Sequence, residues 1–383
     1  MRKKIFLLVI AVAYLFTIES HGQGTYLWNG QRLKIVKEHP ALYQHLILKS
    51  KELADKHLDA PNVVVTDKPD DISLDPHNYA SLSIYFWPDP KNPKGKYIIK
   101  DGQKNPEYKK YDGGKIEDLM LRLKHLSLAY YFTEDEKYRD AYLSQLNAWF
   151  IDKRTYMYPS FDYSQFAPGH NNGKGMAGGL IDAYWFNDII ESIRLVDSVE
   201  PIDKKTMKKL KRWFSDFSDW LTDSENGQYI SEKATNNQAI AYDALLVNMK
   251  LFSKDVIWYP VVNTFGTKRL QKQISKDGKQ PEELKRTNAM TYSIYNLTHI
   301  IDLCRILQIA GVDIYAENKE LIEDAFDYLL QFVGNKQAFP YTEGYSWKER
   351  ENMLICEYNR LPAYSRTRNI PFDFFSSLDN LLK

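Results

Sequence analysis

Apolar side chains recur at intervals of three and four along most of the chain. Ile116, Leu119, Leu123, Leu126 and Tyr130 form one such stripe, and Tyr142, Leu146 and Trp149 form a second on the next helix. Tyr184, Ile189, Ile193 and Val196 make another, followed by Pro201. Further stripes are Met207-Leu210-Phe214-Phe217-Leu221, Ala241-Leu245-Asn248-Phe252, Leu297-Ile300-Cys304-Leu307 and Ile322-Phe326-Leu329. Each predicts a helix with one buried face. No block alternates with period two between hairpin turns, so no sizeable sheet is expected. Many helices joined by short connections build a bundle, a solenoid or a closed toroid of hairpins. The length and the long loops between helix pairs suit an incomplete (α/α) toroid of antiparallel helix hairpins, and the expected class is all-α.

Two segments are too long to be simple connectors. Asp75 to Glu107 contains Tyr85-Phe86-Trp87-Pro88-Asp89-Pro90 and Asp101-Gly102. Thr155 to Gly179 contains His170-Asn171-Asn172-Gly173-Lys174-Gly175. Long loops inside a compact domain commonly line functional clefts. Packing as Ω-loops over helix ends is the alternative. Tyr85, Trp87 and Trp185 are candidate stacking platforms for sugar rings, and each also suits a core position.

The amino terminus reads differently. Arg2, Lys3 and Lys4 precede an apolar run from Ile5 to Ile18. Ser20 and Gly22 then put small residues three and one before a cleavage point at Gln23. This is the pattern of a signal peptide over residues 1–22, with an uncleaved anchor as the alternative. A chain of about 360 residues remains, expected to be one domain, exported to the periplasm or beyond and monomeric. Charge excludes little except nucleic acid: 51 basic and 50 acidic residues leave +1, with no basic patch. Aromatics make up 14% of the chain, with Tyr the commonest. Cys304 and Cys356 are its two cysteines, and a disulfide between them is left open. No cysteine–histidine spacing for zinc and no phosphate-binding glycine loop occurs. No metal or cofactor is expected.

Candidate chemistry lies in Asn236-Asn237-Gln238, which opens a predicted helix, and in Arg286 and Tyr292, six apart at the start of another. Amides and a guanidinium suit a sugar carboxylate, and a tyrosine beside them can move protons. Together they point to β-elimination at a uronic acid. Asn237 is equally suited to cap a helix, Arg286 to a solvated surface, and Tyr292 to a core face shared with Asn296 and His299.

Several words of the sequence carry a resemblance. His77-Asn78-Tyr79-Ala80-Ser81-Leu82 with Tyr85-Phe86-Trp87-Pro88-Asp89-Pro90, and Asp101-Gly102-Gln103-Lys104-Asn105-Pro106-Glu107, resemble the opening of the alginate-lyase-like polysaccharide lyases. Ala148-Trp149-Phe150-Ile151-Asp152 and Thr155-Tyr156-Met157-Tyr158-Pro159 resemble a later block. The run from Asn236 to Asp243 is similar to the family's Asn-Asn-His block, and Asp277 to Thr287 with Tyr292 to Leu297 to its closing block. The resemblance spans roughly residues 60 to 335 and implies a toroid whose cleft binds an acidic polysaccharide. It implies that Asn237 neutralises the uronate carboxylate, Arg286 supports it, and Tyr292 is the catalytic tyrosine. Gln238 stands where the family usually has histidine.

A glutamine cannot act as a general base. A tyrosine alone serves when H5 and O4 lie on one side of the ring, as in mannuronate and glucuronate. Guluronate calls for groups on both faces. His170 is a further candidate base or ligand contact. Asn171, Asn172 and Asn236 are candidate ligand contacts or supports, and Tyr295 is a substitute for Tyr292. Two other functions stay open. One is an inactive relative that binds acidic glycans. The other is a glycoside hydrolase, which needs two placed carboxylates and has Asp182, Asp188 and Asp243 available.

Overall fold

The computed structural model describes residues 24–69, 72–253 and 259–362, and the single positions 365, 366, 368 and 370. The segment read as a signal peptide lies outside them. Helices dominate the described residues. They are α1 (Gly30–Glu38), α2 (Gln44–Asp55), α3 (Asp112–Thr133), α4 (Glu136–Phe150), α5 (Phe186–Val199), α6 (Lys204–Asp223) and α7 (Glu225–Lys233). α8 (Asn237–Ser253), α9 (Tyr259–Gln273), α10 (Pro281–Leu284), α11 (Ala289–Ile309), α12 (Ile314–Glu317), α13 (Lys319–Leu330) and α14 (Trp347–Tyr358) follow.

Local chemistry sets several helix ends. The Asp203 carboxylate accepts from the backbone N–H groups of Lys205 and Thr206, both at 3.0 Å, and starts α6. Asp135 does the same for α4 through Lys137, and Pro201 lies two residues beyond the end of α5. Tyr184 departs from its expected helix. It sits in a 3-10 segment, Ala177–Trp185, that runs directly into α5, and its hydroxyl donates to Asp302.

The buried apolar residues form two large clusters and a small one. The first gathers Leu119, Leu123, Trp149, Phe186, Phe214 and Phe217 among others. The second gathers Leu270, Ile294, Leu297, Ile300, Phe326 and Leu354. Helix α8 belongs to both, giving Tyr242, Leu245 and Met249 to one and Ile240, Ala244 and Val247 to the other. A helix apolar on most sides belongs inside a fold, and α8 packs between α6 and α11. Successive helices pack as neighbours, α2 and α4 on α3, and α14 returns to pack on α11. The architecture is the incomplete α/α toroid expected from the chain length and the long loops between helix pairs.

The two long loops hold the strands. β1 (Ala80–Leu82) pairs in parallel with β4 (Tyr163–Phe166), so each loop anchors the other. β2 (Phe86–Trp87) pairs antiparallel with β3 (Ile98–Ile99) in a hairpin. Strands of two to four residues are too short to show alternation, which is why the sequence pattern passed over them. Asp182 fastens the loops by accepting from Tyr79 (3.0 Å), Ser81 (2.6 Å) and Gln165 (2.7 Å). Cys304 and Cys356 form no disulfide.

Candidate active site

Four side chains from three separate stretches meet around one phenol. Tyr292 lies in the first turn of α11, and its hydroxyl oxygen is 2.6 Å from that of Tyr85. Arg286, on the turn after α10, donates an Nη2 hydrogen to the same hydroxyl at 2.9 Å. Its guanidinium carbon also lies 3.8 Å from the centre of the Tyr292 ring. The guanidinium forks onto Asp101, with Nη2 at 2.6 Å from Oδ1 and Nε at 3.3 Å from Oδ2. Tyr85 and Asp101 flank the two strands at the open end of the β2–β3 hairpin. The hairpin is therefore tied through both of its strands to the Arg286–Tyr292 pair.

Gly102 makes the second tie geometrically feasible. Its φ is +75°, and a Cβ there would lie 2.5 Å from Thr287 Oγ1 and 3.0 Å from Asn288 Nδ2. The Thr287 hydroxyl in turn donates to Asp101 at 3.1 Å. Gly102→Ala is expected to cost about 1–2 kcal/mol from left-handed strain alone. It should lower the melting temperature by a few degrees and displace Asp101 from Arg286. Calorimetry and an activity ratio check both effects.

Burial raises the Tyr292 pKa, the hydrogen bond that Tyr292 donates to Tyr85 adds to the rise, and Arg286 offsets only part. Tyr85 is raised as well, again chiefly by burial. Asp101 is lowered, first by its hydrogen bond from Arg286. The resting site thus holds two neutral phenols and one guanidinium–carboxylate pair.

Asn237 reaches this group through Glu283. Its side-chain Nδ2 donates to Glu283 Oε2 at 2.7 Å, and its backbone N–H donates to Oε1 at 2.6 Å. Glu283 and Arg286 are three residues apart, joined by an Arg286 N–H to Glu283 C=O bond of 3.1 Å. Asn236 gives its carbonyl to Gln273 Nε2 at 2.6 Å, while its side-chain oxygen is buried with no partner. Gln238 points elsewhere. Its Nε2 lies 3.4 Å from the Gly178 carbonyl, and it borders a small cavity with Leu180, Tyr184 and Leu245. No hydrogen bond links it to Asn237, Arg286 or Tyr292 among the described residues.

The remaining candidates spread around the hairpin and helix α11. Tyr295 follows Tyr292 by one turn, and its ring meets His299 edge-on at 4.2 Å. Its hydroxyl has no hydrogen-bond partner among the described residues, and burial raises its pKa. His170 packs its ring against Phe86 at 5.0 Å, and its Nε2 is 2.8 Å from the Tyr97 carbonyl, so it joins the two loops. Asn171 and Asn172 are exposed beside it with φ of 44° and 51°. Trp87 donates its indole N–H to Gln103 at 2.8 Å, with the Lys100 ammonium 4.9 Å from the ring.

Sequence reasoning missed Asp101 and Glu283. Both stand inside quoted motif words, but neighbouring acidic residues such as Glu282 looked the same. Only the fold shows which carboxylates turn inward.

A helical toroid with a tyrosine and an arginine tied to a loop hairpin goes with a class that the comparisons show: the protein is a polysaccharide lyase. The family model described as alginate lyase matches residues 63–339, and the chain belongs to that family. A solved relative is an alginate lyase from Bacteroides ovatus, 33% identical. That match covers 94% of each chain with a TM-score of 0.84. No curated protein matches the chain.

Proposed function

We propose that this lyase cleaves a uronic-acid-containing polysaccharide of mannuronate or glucuronate type by β-elimination. Tyr292 is the base and then the acid, while Arg286 and Asn237 neutralise the uronate carboxylate. The observation that carries the reading is the Tyr292 hydroxyl, held at 2.9 Å by Arg286 and at 2.6 Å by Tyr85. The reacting form is the phenolate, stabilised by the Arg286 N–H and by the Tyr85 hydroxyl once it turns to donate. It takes the C5 proton, and charge moves onto the carboxylate between Arg286 and Asn237. The same proton then passes to O4 as the C4–O4 bond breaks and the C4=C5 double bond forms. The phenolate is regenerated, so no further acid is consumed.

A hydrolase reading finds no support in the carboxylates it would use. Asp182 accepts three hydrogen bonds from the loops. Asp188 accepts from the Trp28 indole at 2.7 Å, and Asp243 is forked by Arg269. Each is committed elsewhere, and none joins the Tyr292 group by a hydrogen bond among the described residues. Mass spectrometry of the products separates the two reactions. Elimination leaves an unsaturated end that is lighter by one water than a hydrolysis product. Products of full hydrolytic mass would reject elimination.

The reading includes export of a single-domain monomer from Gln23 onward, supported by the Arg2-Lys3-Lys4 and apolar pattern. Amino-terminal sequencing of protein recovered outside the cytoplasm should begin at Gln23. An intact Met1 end would reject it.

A further inference from the structure

We propose that Glu283 is a positioning residue that holds the Asn237 amide for the uronate carboxylate and keeps it in register with Arg286. The inference rests on the carboxylate-binding role given to Asn237 above. Glu283 is 2% exposed, and both its oxygens are taken by N–H groups of one residue, Asn237. No other hydrogen bond reaches its carboxylate among the described residues. The carboxylate also faces the first backbone N–H of α8, where the helix dipole favours a negative charge. Three residues later Arg286 grips Tyr292. One short turn therefore fixes both the Asn237 amide and the Arg286 guanidinium.

An ionised carboxylate is the only form that satisfies both donors. The backbone N–H is fixed and claims one oxygen. A glutamine, or a protonated Glu283, then turns a donor toward the Asn237 NH2 group. The amide must rotate away from that contact, and the N–H held for the substrate moves. Burial raises the Glu283 pKa to about 7, and the hydrogen bonds from Asn237 offset part of that rise. The charged groups acting on it are Arg286, which lowers it, and Glu282, which raises it, both beside its own turn. From α8 it meets the Asn237 amide. Asp243 of that helix is occupied by Arg269 of α9, and Glu343 bonds to Thr291 at the start of α11. With a raised pKa the ionised form is populated above about pH 7 and lost below it. The clasp is accordingly made on the alkaline side and loosened on the acid side.

The test compares wild type, Glu283→Gln, Asn237→Ala and the double variant on an acidic polyuronate over pH 5.5 to 9. Glu283→Gln is expected to raise KM about 10- to 100-fold at pH 8 with a smaller change in kcat. Wild-type KM should climb as pH falls through about 7, and that climb should vanish in Glu283→Gln. His170→Ala should keep it. In the Asn237→Ala background the glutamine should add nothing, because Glu283 acts through Asn237. An unchanged KM in Glu283→Gln, or additive losses in the double variant, would overturn the proposal. If Asn237→Ala itself has wild-type kcat/KM, the reading of Asn237 fails instead. Should Glu283→Gln not fold, the wild-type and His170→Ala pH profiles decide, and no inflection near pH 7 counts against Glu283.

Discussion

Tyr292→Phe is expected to lower kcat about 1000-fold or more while leaving KM within a few-fold of wild type. The substitution removes one oxygen and keeps the ring that lies against the Arg286 guanidinium at 3.8 Å. It takes away the group that accepts H5 and returns the proton to O4. Tyr85 and Arg286 each lose a partner, worth about 1 kcal/mol apiece in stability. The fold tolerates that, and the melting curve should stay close to wild type. Steady-state kinetics with a parallel melt separate loss of chemistry from loss of structure. If turnover survives, Tyr295, with its unpartnered hydroxyl one turn along α11, becomes the better candidate.

Arg286→Lys should cost about 100-fold or more in kcat/KM, although it keeps the charge. The guanidinium does three things at once: it donates to Tyr292, forks onto Asp101 and covers the Tyr292 ring. A lysine ammonium is a point charge on a flexible stem and cannot hold all three positions. KM should rise as well, because the carboxylate is already charged in the ground state. Asp101→Asn tests the same network from the hairpin side. It leaves Arg286 charged but weakens the tie, so its loss should be smaller than that of Arg286→Lys. A lysine variant with wild-type kcat/KM would show that Arg286 supplies only net charge.

The helical architecture was legible because its signal repeats. Stripes such as Leu210-Phe214-Phe217-Leu221 extend over several turns, and all four residues are buried. Tyr184 broke the pattern because a 3-10 segment carries a different period into α5. The four strands were not legible, since each is too short to show alternation, and β1 and β4 owe their pairing to partners far along the chain.

Motif words brought Tyr85, Arg286 and Tyr292 into view, and the fold places the polar ends of Tyr85 and Arg286 within hydrogen-bonding distance of the Tyr292 hydroxyl. The words did not disclose what holds them. Asp101 and Glu283 act through contacts 185 and 46 residues apart in sequence, beyond any local pattern. The effect of burial on the Tyr292 pKa was likewise beyond spacing. It depends on how much water the hairpin excludes, which is a property of packing. Gln238 was legible as a substitution of glutamine for histidine, but not its direction toward Gly178.

The central claim is that one phenol serves as both base and acid on a shared face of the sugar. The most direct measurement is the initial rate of new double bonds, read by ultraviolet absorbance. Wild type and Tyr292→Phe would be compared on polymannuronate, glucuronan and polyguluronate. The account predicts that wild type turns over polymannuronate or glucuronan well ahead of polyguluronate, and that Tyr292→Phe turns over none. Strong wild-type cleavage of polyguluronate that survives both Tyr292→Phe and His170→Ala would contradict it, because a base on the opposite face of the sugar would then be at work.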